Sequence, residues 1–414
     1  MKKKDIELIS IGDEILIGQI VNTNATFLSQ ELTKLGGSVR WATTVGDDRE
    51  DIERAIEMAF QRADIIITTG GLGPTHDDIT KKVLAQFFDT RLVFNGDVLQ
   101  NITRIFRKMG RTVDRLNKEQ ALVPEGATIL PNPVGTAPGL LFERNSRKLF
   151  VLPGVPFEMK AIFNNSMVPA LKSTLTGTHL KYKTLKTTGL FESRLFNLVK
   201  DVLPRIESNV QVAFLPAYSG VNIRIGTRGK SEKECLDRLQ FAEQLFSEKI
   251  GTYLYSTDER NMEDIVTELL VKAKRSLSSI EFFTAGHFAN IILNASESGK
   301  CYKGSKILPP IATQQPTLSD KGAYCLEMAM NVCADFQSDY GVSIIEFPNA
   351  GSQASDDTVI HFGLVGPHVE SVQTWRYRRE RPDNKQRAVQ FALDMIRREL
   401  SGIGDAERAI KRTG

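Results

Sequence analysis

Asp64-Ile65-Ile66-Ile67-Thr68-Thr69-Gly70-Gly71-Leu72-Gly73-Pro74-Thr75-His76-Asp77-Asp78-Ile79-Thr80-Lys81 joins an all-apolar run to a glycine-rich turn carrying two adjacent carboxylates. Ile65, Ile66 and Ile67 are β-branched and consecutive, so no face of the run is polar. That suits a strand covered on both sides in a parallel sheet, and places it centrally. Gly70, Gly71 and Gly73 permit positive φ and close backbone approach, so amides at the strand's carboxyl end can form a concavity for phosphate. Asp77, Asp78 and Thr80 precede the helical run Lys81-Lys82-Val83-Leu84-Ala85-Gln86-Phe87-Phe88, where they are candidates for caps, metal ligands or both. A tight turn before a capped helix is the reading that needs no ligand; three glycines with a paired carboxylate weigh against it.

Upstream, Ile6 to Ile11 reads as a first parallel strand and Gly12-Asp13-Glu14 puts a glycine and two acids at its carboxyl end, where open α/β sheets bind ligands. Asn22-Thr23-Asn24 can cap the helix that follows, and Gly36-Gly37 closes it. Val39 to Val45 gives a second strand, ending in Gly46-Asp47-Asp48 before a helical repeat from Asp51. With right-handed crossovers, acids after three successive strands gather along one edge. Carboxylates beside a phosphate cradle repel the ligand unless a divalent cation stands between them. Asp48, and in part Asp77, read as plain helix caps.

Downstream, Pro131-Asn132-Pro133-Val134-Gly135-Thr136-Ala137-Pro138-Gly139 forms a loop of proline, glycine and small residues that can approach a ligand without side-chain obstruction. Leu149 to Leu152 is another buried strand, and Pro153-Gly154-Val155-Pro156 leads into a helix whose N-terminus can face an anion.

Composition sets the frame. A chain of 414 residues with 41% hydrophobic and 25% charged residues is globular and holds two to four domains. Its 53 Lys plus Arg against 50 Asp plus Glu leave a net charge of +3, too small a field to argue for nucleic acid or an anionic membrane. Cys235, Cys301, Cys325 and Cys333 show no zinc spacing and fit buried thiols in a reducing compartment. The basic start runs into a short strand broken by Glu7 rather than a signal peptide, and no stretch reaches transmembrane length, so a cytoplasmic location is expected.

Gly12-Asp13-Glu14-Ile15-Leu16, Gly18-Gln19-Ile20 with Thr23-Asn24, Thr69 to Thr75 with Asp78 and Thr80, Gly135-Thr136-Ala137-Pro138-Gly139 and Leu152-Pro153-Gly154-Val155-Pro156 together resemble the competence/damage-inducible CinA family. The resemblance is dense over the first roughly 170 residues and extends, by order of segments, over the chain. It implies an α/β fold in three parts: a MoaB/MogA-like three-layer domain with a mostly parallel sheet (residues 1–170), a small KH-like α+β domain (178–256) and an α/β deamidase-like domain (261–403). It further implies hydrolysis of ADP-ribose, or a related nucleoside diphosphate, to AMP and ribose 5-phosphate with cobalt, magnesium or manganese. The expected catalytic residues are Asp78, Asp47 and Glu14, and the expected metal ligands are Asp13, Asp47 and Asp78. Gly70, Gly71, Gly73, Thr75, Thr80, Lys81, Asn24, Gly135, Thr136 and Gly154 are expected to hold phosphate and substrate. A homodimer is implied as well.

In the middle region Gly226-Thr227-Arg228-Gly229 spells GxxG, but it follows a strand, whereas a KH clamp on RNA needs that loop between two helices. Nucleic acid is therefore not an expected partner; joining domains or forming a dimer is. In the last region the family's amidase pattern Ala-Glu-Ser-Cys-Thr-Gly-Gly corresponds to Ile280-Glu281-Phe282-Phe283-Thr284-Ala285-Gly286, with Phe282 at the nucleophile's position. The pattern's lysine aligns with Gln314, and its later glycine-rich segment appears as Ile345 to Ser352 with most glycines gone. His287, His361 and His368 read as surface or core histidines. The apolar stripes of Tyr324 to Met330 and Lys385 to Ile396 indicate a packed domain that has lost its site. Two classes remain: a nucleotide pyrophosphatase, or a non-catalytic protein that holds a nucleotide or pterin.

Overall fold

The run Ile65 to Ile67 lies in the middle of the largest sheet of a computed structural model of the chain. The structure describes residues 4–75, 78–172, 174–175, 179–309, 320–347, 357–378 and 382–403. It divides into two compact units, Met1–Lys181 with Arg228–Cys235, and Tyr182–Thr227 with Leu236–Gly414.

The first part runs β1 (Asp5–Ile11), α1 (Asp13–Leu16), α2 (Thr23–Lys34), β2 (Ser38–Val45), α3 (Arg49–Arg62), β3 (Ile65–Thr69), α4 (Thr80–Phe87), β4 (Leu92–Phe94), α5 (Gly96–Lys108), α6 (Arg115–Glu119), β5 (Leu122–Pro124), β6 (Thr128–Leu130), β7 (Gly139–Arg144), β8 (Arg147–Leu152), α7 (Pro156–Ile162) and α8 (Val168–Lys172). The sheet order is β2-β1-β3-β8-β7-β6; β2, β1, β3 and β8 are parallel, and β7 pairs antiparallel with both its neighbours. Alternation along β3 explains why no residue of the run could be polar. Ile66 packs with Ile52 and Ile56 of α3 and Val83 and Leu84 of α4, whereas Ile65 and Ile67 pack with Leu28 and Leu32 of α2 and Met159 and Ile162 of α7. Both faces of the strand are covered, so its ligand-facing groups can only emerge at its carboxyl end.

Asp48 caps α3, accepting from the Glu50 and Asp51 amides, as expected. α4 differs from expectation: it begins at Thr80 after Ile79 with no side-chain cap, because the Asp78 carboxylate is engaged elsewhere. Asp77 lies outside the described residues.

The middle part comprises β9 (His179–Thr187), α9 (Glu192–Val199), β10 (Val210–Pro216), β11 (Val221–Gly229), α10 (Glu232–Ile250) and β12 (Leu254–Ser256), with sheet order β10-β11-β9-β12. α9 stops at Val199, and a 3-10 turn from Leu203 with Pro204 in its first positions follows. Gly226 to Gly229 lie within β11 rather than in a loop between helices, and the Tyr182 ring packs where a Gly226 Cβ would stand.

The last part comprises α11 (Met262–Lys272), β13 (Leu277–Glu281), α12 (His287–Asn294), α13 (Ser298–Cys301), β14 (Tyr302–Ile307), α14 (Lys321–Phe336), β15 (Tyr340–Glu346), β16 (Asp357–Gly366), β17 (Val369–Arg378) and α15 (Asn384–Leu400). Its sheet order is β14-β13-β15-β16-β17, the first three strands parallel and the rest antiparallel. Both expected apolar stripes are helical: Cys325 and Val332 of α14 pack on one face, Ala388, Ala392 and Ile396 of α15 on the other.

Candidate functional site

The carboxyl ends of β1, β3 and β8 border a cleft of about 460 Å3. Its walls include Glu14, Asn24, Asp47, Gly70 to Gly73, Asp78, Thr136, Gly154 and Glu158. Parallel pairing is what assembles it: Ser10 stands opposite Thr69, and Thr69 opposite Leu152, so the three loops leave the sheet at one level.

Asp78 turns back into the glycine loop. One carboxylate oxygen accepts from the Gly73 amide (2.7 Å), the other from the Thr75 amide (2.9 Å) and hydroxyl (2.5 Å). The loop's own anion thus occupies two donors expected to hold phosphate, and the Gly71 and Leu72 amides are those without an acceptor among the described residues. Thr80 does not line the cleft; its hydroxyl donates to the Gly70 carbonyl (3.2 Å) and its amide to the Gly71 carbonyl (3.2 Å). Gly71 adopts φ +66°, and a Cβ there would stand 1.9 Å from the Thr80 hydroxyl, so this glycine is required twice over.

Asp13 and Asp47 hold each other: the Asp13 amide donates to Asp47 Oδ2 (3.1 Å) and the Asp47 amide to Asp13 Oδ1 (3.2 Å). Glu14 and Asp47 line the cleft, while Asp13 links the two loops from outside it. Among the described residues no three His, Cys, Asp or Glu side chains come together in a group that could hold a metal ion. Asn24 donates to the Gly154 carbonyl (2.6 Å), and its Oδ1 is buried without a partner among the described residues. Gly135 is buried behind Thr136, its amide donating to Asn132 Oδ1 (2.9 Å). Lys81, 8% exposed, donates to the Gln120 carbonyl (3.2 Å); burial pushes its ammonium down to about 8, against the opposing pull of Asp78.

Sequence reasoning missed Glu158. It is half-buried in the first turn of α7, accepts from Asn132 Nδ2 (2.6 Å), and burial holds its carboxyl above the usual range while Asn132 opposes that rise. An acid in a first helical turn has a sufficient local account in the helix dipole, so its residue type carries no signal of a cleft.

In the last part, Glu281 is fully buried at the end of β13. It accepts from the Thr284 hydroxyl (2.5 Å), the Phe288 and Ala289 amides (3.1 and 3.0 Å) and the Ser305 hydroxyl (3.3 Å), tying down the start of α12. Phe282 is buried with Ile280, Cys325, Val332, Ile345 and Phe347. Lys306 pairs with Asp335. His361 packs edge-on against Phe347, and His368 is exposed. Gln314 and the segment from Pro348 to Ser352 lie outside the described residues. A cavity of about 310 Å3 beside Lys274, Lys300 and Lys303 lies at the opposite end of β13 from Phe282. Among the described residues no helix is long and apolar enough to cross a membrane.

The fold and cleft define a molybdopterin-binding type of α/β domain followed by two smaller α/β domains. Residues 7–173 match the family described as "Probable molybdopterin binding domain", 182–256 the "Damage-inducible protein CinA KH domain" and 259–400 the "CinA C-terminal domain". A relative from Thermoanaerobacter pseudethanolicus, named as a competence-damage inducible protein, is 37% identical over 410 residues, covering 96% of this chain and 98% of the relative. One so named from Clostridium perfringens is 34% identical over 411 residues, covering 96% and 99%. The chain belongs to this competence-damage inducible, or CinA, family. Among solved structures, a CinA protein of unknown function from Thermoplasma acidophilum matches at 36% identity and TM-score 0.37, over 42% of this chain and 98% of that one. The tungsten cofactor synthesizing protein MoaB from Pyrococcus furiosus matches at 21% and TM-score 0.29, over 42% and 94%.

Folding lowers the Lys81 pKa from 10.5 to about 8, so between those pH values the unfolded chain binds more protons and stability rises with pH. Urea denaturation should show the wild type gaining on the order of 3 kcal/mol over Lys81→Met across that window; parallel pH curves would contradict it. Ala285 sits at φ +53°, a left-handed position where the family pattern has glycine. Ala285→Gly should stabilise by about 1 kcal/mol, read from the melting midpoint.

Proposed function

We propose that the N-terminal cleft hydrolyses the pyrophosphate bond of ADP-ribose to AMP and ribose 5-phosphate with the help of a divalent cation. One observation carries the reading: the described lining has four carboxyl groups, on Glu14, Asp47, Asp78 and Glu158, and no Lys, Arg or His, yet it includes Gly71 and Leu72, whose amides have no acceptor among the described residues. A polyanion can settle there only with accompanying positive charge.

The donor set fits hard divalent ions. Carboxylate oxygens suit magnesium and manganese, and cobalt accepts them too. Because no three acids converge among the described residues, one or two carboxylates, from Asp47 with Glu14 or Asp13, would share the ion with the substrate's own phosphates, the habit of magnesium sites. When bound, the ion supplies charge neutralisation and polarisation of the phosphoryl group. The chain's own residues do the rest. Gly71 and Leu72 amides bind phosphoryl oxygens, the Asn24 amide and the Gly154 and Thr136 walls fix the ribose side, and Ile15, Ile20 and Val21 offer an apolar face for the base. Asp47 or Glu14 orients a water and takes its proton as oxygen adds to phosphorus and the bridging P–O bond breaks. Asp78 keeps the loop in shape.

A non-catalytic nucleotide- or pterin-binding role is the second reading, favoured by Asp78, whose oxygens are both engaged by its own loop. Release of AMP separates the two. ADP-ribose should be cleaved with magnesium, manganese or cobalt and untouched in chelator, and Asp78→Asn should lose a factor on the order of 10² or more through a loosened loop. Turnover in chelator would remove the metal; wild-type rates in the variant would remove Asp78.

The C-terminal domain is inferred to be inactive as a nicotinamide mononucleotide deamidase, because Phe282 offers no nucleophile and its ring fills the space. No ammonia should be released from the mononucleotide at assayable enzyme concentrations. A homodimer in the cytoplasm completes the proposal, and sedimentation tests the dimer.

A further inference from the structure

We propose that Glu158 is a further ligand-contacting group of this cleft, gripping a phosphoryl oxygen through a proton on its own carboxyl. The assignment rests on the phosphate-binding reading above and deepens it.

The placement comes from the sheet. β3 and β8 end in register, and a Cβ added to Gly154 would lie 3.5 Å from the Gly70 Cα, so the loops following the two strands touch. α7 begins two residues beyond Gly154, which puts Glu158 beside the glycine loop and in the cleft wall. Its aim is fixed from behind. Asn132 Nδ2 donates to Glu158 Oε2 and to the Ala137 carbonyl (2.8 Å), while Asn132 Oδ1 accepts from the Val134 and Gly135 amides (3.2 and 2.9 Å). Gly135 is glycine for this reason, since a Cβ there would stand 2.0 Å from the Glu158 carboxyl carbon. Oε1 has no donor among the described residues.

Among the described residues no cation reaches Glu158; Arg104 of α5, the cation on the Asn132 loop, binds Asn101 Oδ1 (2.6 Å) and the Pro133 carbonyl (3.3 Å). The loop containing Asn132 has no titratable residue from Pro131 to Pro138. On α2 the charged pair Glu31 and Lys34 bind each other (2.7 Å). Lys160 on α7 itself lies over the Phe27 ring (5.1 Å to its centroid). Among the described residues the other charged groups of the cleft are Glu14, Asp47 and Asp78, all acids. Burial already favours the neutral form of Glu158, and an anionic ligand favours it further. An ionised Glu158 repels a phosphoryl oxygen; a protonated one donates to it.

Binding of ADP-ribose should therefore draw in a proton. The probe is suitable because its pyrophosphate does not itself titrate between about pH 5 and 8, so any uptake belongs to the protein. Calorimetry on the full chain, with calcium present and in buffers of differing ionisation enthalpy, reads both affinity and proton uptake. The wild type should take up protons, and its affinity should fall up to about tenfold per pH unit above the Glu158 pKa. Glu158→Gln, which keeps a donor, should bind within about threefold of the wild type at low pH but lose both the uptake and the slope. A purely structural Glu158 would weaken the variant equally at every pH and leave the uptake intact, which overturns the assignment. So does a wild type with no uptake, a result needing no variant. Failure of both proteins to bind ADP-ribose at any pH overturns the phosphate reading of the cleft and this assignment with it.

Discussion

The Asp78 carboxylate is the anion around which the glycine loop is wound, and the geometry of the cleft follows from it. Amides that converge need a negative charge at their focus. Here the chain supplies one, donated to by Gly73 and Thr75, so the loop is shaped before any ligand arrives. Thr80 closes the other side through the Gly70 and Gly71 carbonyls. What is left without an acceptor among the described residues is a short arc of backbone, the Gly71 and Leu72 amides, in a lining that also holds four acids. The same economy appears between Asp13 and Asp47, each fixing the other's loop through a backbone amide.

Much of this was legible in the sequence because burial and backbone conformation write directly into residue type. Ile65 to Ile67 announced a strand with two covered faces, and Asp48 announced a cap. Gly71 announced a positive φ. What residue types cannot announce is the direction in which a polar side chain turns. Asp78 and Thr80 were read as caps, metal ligands or ligand contacts, and Lys81 as a phosphate contact. In the fold one braces the loop, one clamps it from behind and one is buried against a carbonyl. Glu158 shows the converse: its type and position had a sufficient local explanation, and only the proximity of the two strand-end loops gives it another.

The last domain shows which residues of a site also serve the fold. Of the amidase pattern, Glu281, Thr284 and Gly286 remain. Glu281 and Thr284 are joined to each other and to the start of α12, and Gly286 takes φ +86°. Of the positions that differ, Ile280, Phe282 and Phe283 pack as apolar side chains, and Ala285 is tolerated at a left-handed φ that costs on the order of 1 kcal/mol.

Phe282 also resists replacement. Its ring is part of a packed cluster with Ile345 and Phe347 under α14, so a change to serine would open a cavity and bury a hydroxyl among apolar neighbours. Large-to-small changes of that kind cost roughly 3–5 kcal/mol, a sizeable share of what holds a domain together. A serine at this position therefore runs uphill in stability before any catalysis can reward it. The buried Glu281, bonded to Thr284 and to the first amides of α12, holds the end of β13 to that helix whatever residue stands at position 282.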